Sequence, residues 1–89
     1  MTVNNIEQYG FLQSGWNRTE VITNGENQTI YQGKSSRQNN APNEAVWCIK
    51  RVSITQSGNI QTIVEEFADG DMKYDNIWAN RASLTYKYL

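Results

Sequence analysis

The sequence predicts an all-β domain, a small antiparallel β-sandwich or β-barrel-like fold with one short helical turn near the C-terminus. Two observations carry this expectation. At two places a glycine-centred turn is bracketed by β-branched runs, "TEVIT NGEN QTIYQ" and "VSIT QSGN IQTIV"; Asn-Gly in the first is the strongest short turn signal, and Gly58 in the second can take the positive φ a hairpin turn needs. The second hairpin also passes a register test. If paired positions sum to 115, Val52 faces Ile63, Cys48 faces Phe67 and Lys50 faces Glu65, which gathers apolar residues and an ion pair on one side.

In chain order, residues 1–16 contain Tyr9, Phe11, Leu12 and Trp16 without a clean period. They read as an extended N-terminal arm or an edge strand. Residues 19–23 and 28–32 form the first hairpin around Asn24-Gly25-Glu26-Asn27. Their apolar content is low, Val21, Ile22, Ile30 and Tyr31, which places this hairpin near a sheet edge. Residues 33–44 hold the single proline, Pro42, and no apolar periodicity, so they read as a surface loop or an arm toward a neighbour. In the central hairpin, the face bearing Trp47, Ile49, Arg51, Ser53 and Thr55 is mixed in character. A neighbour is therefore expected on both faces near its open end.

Size and composition set limits on function. The chain's 89 residues make one domain, and a domain this small buries only about 60–65% of its unfolded surface. Oligomerisation is the expected support. Cys48 is the only cysteine and histidine is absent, which excludes an internal disulfide and a zinc site of four nitrogen or sulfur ligands. With net charge −1 and only 8 Lys and Arg, scattered along the chain, there is no electrostatic footprint for nucleic acid. No apolar run reaches the roughly 18 residues of a membrane span. The opening "MTVNNIEQYG" lacks the basic and apolar regions of a signal peptide, so synthesis in a cytoplasm is expected. No cofactor is expected.

The stretch "FADGDMKYDN" invites a metal or catalytic reading. Asp69-Gly70-Asp71 follows the end of a strand, and Asp-Gly is turn chemistry that tolerates positive φ. A calcium loop requires five or six oxygen ligands ending in a bidentate glutamate; here glycine separates the acids and no such glutamate follows. Neither a metal site nor a carboxylate pair for catalysis is expected, because Asp69, Asp71 and Asp75 lie in a polar segment with nothing to separate their pKa values.

Asp75 or Asn76 is suited to cap a helical turn over residues 76–80, after which Leu84, Tyr86 and Tyr88 alternate as a closing strand. Trp78 either plugs the end of the core or anchors an interface. Trp78, Arg81, Tyr86 and Tyr88 bring together three residue types that dominate binding hot spots, and they are the candidate protein-interface residues. For Arg81 the alternative is a salt bridge to Asp71 or Asp75.

These segments resemble a family of short tailed-bacteriophage proteins with an "A-x-W-x-I-x-R" strand, an "ADGD" turn and an "N-[IV]-W-x-N-R-x-x-L-T-Y" ending. The matching residues are Ala45, Trp47, Ile49 and Arg51, then Ala68, Asp69, Gly70 and Asp71, then Asn76, Ile77, Trp78, Asn80, Arg81, Leu84, Thr85 and Tyr86. "IYQG" resembles the family's tyrosine, one residue, glycine segment, although "RQNNAPNE" replaces the usual glycine-rich loop. The resemblance implies a virion or assembly protein without implying its place in the particle.

Two function classes follow. One is a non-enzymatic structural component of the virion, a head decoration, neck or tail-attachment protein, built as a homo-oligomer with other virion proteins as partners. The other is a glycan- or receptor-binding β-domain at a phage tail or fibre, with Trp16, Trp47 or Trp78 as a stacking face. An enzyme is not expected, since no histidine, phosphate loop or nucleophile motif is present.

Overall fold

The computed structural model describes residue 16, residues 18–36 and residues 41–89. Apart from Trp16, the segment read as an N-terminal arm lies outside the described residues, as do residues 37–40 of the expected loop. The all-β expectation holds. Among the described residues, six antiparallel strands form one open sheet: β1 (Arg18–Asn24), β2 (Asn27–Ser35), β3 (Ala45–Ser57), β4 (Ile60–Ala68), β5 (Asn76–Ile77) and β6 (Tyr86–Lys87). Their order is β1-β2-β3-β4-β6, and the short β5 also pairs with β3. Among the described residues the sheet does not close into a barrel.

Both hairpins turn through two residues. In the first, Asn24 pairs with Asn27 around Gly25-Glu26, at the turn expected from the sequence. In the second, Ser57 pairs with Ile60 and Lys50 with Phe67, so paired positions sum to 117 rather than 115. The reason is the glycine. Gly25 and Gly58 have φ of 64° and 59°, while neither Glu26 nor Asn59 has positive φ. Glycine at the first loop position suits a turn whose twist matches the strands, whereas the expected register would put Ser57 first and Gly58 second, which requires either positive φ at Ser57 or a type II turn that splays the strands. A shift of two residues preserves both faces. Lys50 therefore still meets Glu65, Nζ to Oε2 at 3.0 Å, but diagonally, while Arg51 bonds its direct opposite Glu66 at 2.8 Å. Cys48 pairs with Lys34 on β2 rather than with Phe67.

The expected loop over residues 33–44 starts later than the sequence suggested. Gly33, Lys34 and Ser35 continue β2, paired with Ile49, Cys48 and Trp47.

Alternation along the strands gives the sheet two faces. The front holds Tyr31, Trp47, Ile49, Ala68 and Tyr86, joined by Trp78, as one buried cluster. The back holds Ile30, Val52 and Ile54, with the half-buried Val21 packed against them. Cys48, Lys50, Gln28 and Gln32 are also buried on the back face. There the half-buried Trp16 indole lies 4.7 Å from the Lys50 ammonium and 5.1 Å from that of Lys34.

The helical element is a 3-10 helix over Trp78–Ser83, displaced two residues from the expected turn. Ile77 precedes it with no side-chain cap. Asn76 does not cap it because it is buried in β5, where its amide donates to the Trp47 carbonyl at 3.3 Å. The closing strand comprises only Tyr86 and Lys87.

Candidate functional site

The C-terminal aromatic segment, the strongest candidate in the sequence, is built into the front of the sheet. Trp78 begins the 3-10 helix and is only 3% exposed. Its indole rests on the backbone of β2 at Gly33, where a Cβ would stand 2.6 Å from Trp78 ring atoms and 2.8 Å from Trp47. Real Cβ atoms do not approach so closely, so glycine is needed here for space. The Trp47 and Trp78 rings are 5.5 Å apart and tilted by 39°, a favourable arrangement for aromatic pairs. Trp47 also donates its indole N–H to the Ala41 carbonyl at 2.9 Å, and the Ala79 N–H bonds the Pro42 carbonyl at 3.0 Å. The Pro42 segment is thereby tied to the aromatic pair.

Arginine completes the arrangement. The Arg81 guanidinium donates two hydrogen bonds to the Glu20 carboxylate, at 2.7 and 2.6 Å, and a third to the Trp78 carbonyl at 3.1 Å. The Arg81 and Arg18 guanidinium carbons lie 4.8 and 5.7 Å from the Trp78 ring centroid. The salt bridge expected for Arg81 therefore forms with Glu20 on β1, not with Asp71 or Asp75. Arg81 holds the Glu20 carboxyl below its ordinary value, chiefly through the side-chain hydrogen bond and against the opposing effect of burial. Tyr86, 8% exposed, donates its hydroxyl to the Arg81 carbonyl at 2.7 Å. Its ring lies 6.0 Å from that of Tyr31 and 4.5 Å from the Arg51 guanidinium carbon. Burial raises the phenol pKa well above 10.0, aided by Tyr31.

Of the four candidate interface residues, three are thus brought together by contacts within the chain, and Tyr88 alone stands apart, 71% exposed. Glu20 and Gly33 belong to the same assembly. Nothing local in the sequence marks Glu20; the "Tyr-x-Gly" spacing was the only signal for Gly33.

The aspartates form a turn. Asp69 and Gly70 both have positive φ, 60° and 72°, and the Asp71 N–H bonds the Ala68 carbonyl at 3.3 Å, as in a type I′ turn. The Asp69 N–H bonds the Thr85 carbonyl at 2.8 Å, and the Asp71 side chain accepts the Lys73 N–H at 3.0 Å. Among the described residues, no three acidic or cysteine side chains converge in a way that could hold a metal ion. On the back face, burial raises the Cys48 thiol pKa, the opposite of what a reactive cysteine needs.

Of the three tryptophans offered as a sugar-stacking face, Trp47 and Trp78 are buried and Trp16 lies against two lysine ammonium groups. No helix among the described residues is long and apolar enough to cross a membrane. No family model, curated protein or solved structure matches the chain.

Proposed function

We propose that this chain is a non-enzymatic structural component of a tailed-bacteriophage virion, a head-decoration, neck or tail-attachment protein that assembles in multiple symmetric copies. The resemblance to short phage proteins supplies the class. One observation supports a contact role: outside the buried motif, large apolar side chains remain at the surface. Ile22 and Ile60 are 46% and 69% exposed, and Tyr88 and Leu89 are 71% and 69% exposed, with Met72 and Tyr74 also in contact with solvent. Aromatic residues and methionine are enriched where proteins meet.

The residues that carry the resemblance do a different job. Trp47, Trp78, Arg81 and Tyr86 hold the front of the sheet together, so recognition falls to the surface around them. The glycan-binding alternative loses two of its three tryptophan faces to the core.

The deciding measurement is the protein content of gradient-purified particles, followed by particle density. Stoichiometric recovery with particles, at a copy number set by their symmetry, is the expected result. Absence from particles, together with a soluble monomer that binds glycan, would overturn the proposal.

A further inference from the structure

We propose that the outer edge of β1 is a self-association surface, at which a second copy adds its own β1 antiparallel about a two-fold axis through Val21. The inference deepens the multi-copy reading above by naming the surface and partner. Among the described residues, β1 ends the strand order and only its inner edge is paired. Its backbone polarity follows from the turn. In a two-residue hairpin the flanking pair, here Asn24 and Asn27, exchanges both backbone hydrogen bonds, and bonded and non-bonded pairs then alternate. Residues 18, 20, 22 and 24 thus bond β2, while the N–H and C=O groups of Thr19, Val21 and Thr23 point outward.

Natural edge strands are usually guarded by proline, lysine, a bulge or an intruding charge. Arg18–Asn24 has no proline or lysine, and its register with β2 runs without a bulge. Its two charged side chains are held over the front face, Arg18 near the Trp78 ring and Glu20 on Arg81. Among the described residues, nothing therefore covers this edge.

The strand is self-complementary in one register. An axis through Val21 sets Thr19 against Thr23 of the second copy and Val21 against Val21, satisfying about six outward hydrogen bonds. Val21 already packs against Ile30, Val52 and Ile54, so the two back-face clusters would become continuous across the axis. An axis through Glu20 would place two carboxylates opposite each other, and one through Ile22 would pair fewer outward groups. β4 is a poorer partner because β6 occupies its outer edge at Phe67 and Ala68. Pairing β1 with β4 of another copy would also be head-to-tail and open-ended.

Sedimentation equilibrium of the full chain, combined with amide exchange by NMR, tests this. A monomer–dimer equilibrium is expected, with exchange at Thr19, Val21 and Thr23 slowing as dimer accumulates. Val21→Pro removes an outward N–H that bonds nothing among the described residues, so it should leave the far-ultraviolet spectrum unchanged and the protein monomeric. A wild type that stays monomeric at every concentration, oligomers that grow past the dimer, or a Val21→Pro dimer would each overturn the proposal. If Val21→Pro does not fold, the wild-type amides decide alone: fast exchange at the three positions within the dimer overturns it. A dimer of this kind in a protein absent from particles would defeat the virion reading and leave this inference intact.

Discussion

At the scale of single residues, the two most demanding positions are Gly33 and Glu20, and neither has the chemistry of a site. Gly33→Ala would push a methyl group into both indoles. Because backbone lies beneath and the core lies above, relief requires moving Trp78, and overpacking of this kind costs about 1–3 kcal/mol. Chemical denaturation should show that loss; an unchanged midpoint would mean the indoles do not sit on the β2 backbone. Glu20 makes a pH prediction. Its carboxyl is lowered from 4.5 in the folded chain, so the fold favours the ionised form. That contribution is fully present above the ordinary glutamate range and lost as pH falls through the lowered folded value. Glu20→Gln should therefore melt below wild type at neutral pH, with the gap closing in acid. A gap independent of pH would assign the effect to packing rather than charge. Glu20 was illegible in the sequence because its partner is 61 positions away and charge pairing across such a distance leaves no local pattern.

At the scale of elements, turns were more legible than registers. Asn24-Gly25 and Asp69-Gly70 identify themselves through residues that tolerate positive φ. The second hairpin misleads by two positions because Gln56-Ser57-Gly58-Asn59 also looks like a turn until the glycine is required at the first loop position. β2 misleads differently. Gln28, Gln32 and Gly33 are buried, and neither amides nor glycine register as core in a hydropathy pattern, so the end of the strand looks like loop. The turn glycines can be compared directly. A Cβ at Gly58 meets nothing within 4 Å, whereas one at Gly70 lies 3.2 Å from the Lys87 Cβ and 3.3 Å from the Tyr88 carbonyl oxygen. Gly58→Val should cost about 1–2 kcal/mol through positive φ alone, and Gly70→Val should cost more because steric conflict adds to strain. Equal losses would show that the C-terminal strand yields freely. Asp71→Asn preserves an oxygen acceptor for the Lys73 N–H and should be nearly silent, while chelator should leave the melting temperature unchanged. A chelator-induced drop abolished by Asp71→Asn would restore the metal reading of this turn.

At the scale of the whole molecule, one open sheet must bury two faces, and the front depends on the last dozen residues folding back over the first hairpin. Trp78 touches β2 at Gly33 and packs with Trp47 on β3, while Arg81 grips β1. One short helix therefore reaches each of the first three strands, and its loss is global. The front-face aromatic cluster was legible as a set of candidate residues, but its role was not, because the same Trp, Arg and Tyr chemistry serves cores and interfaces alike. Burial separates them. A domain of this length has a total stability of only about 5–13 kcal/mol, and truncating a buried tryptophan costs about 3–5 kcal/mol. Trp78→Ala should consequently leave a marginally folded protein, seen as a broad, low melting transition. Arg81→Ala is not a clean probe of contact, since it frees Glu20 and uncovers Trp78 together. Tyr88 is. With its ring in solvent, Tyr88→Ala should keep the wild-type melting temperature and, on the virion reading, reduce incorporation into particles. If Tyr88→Ala incorporates normally while Trp78→Ala fails only in proportion to its lost stability, the C-terminal segment is core closure throughout, and contacts between copies must be sought at the sheet edge instead.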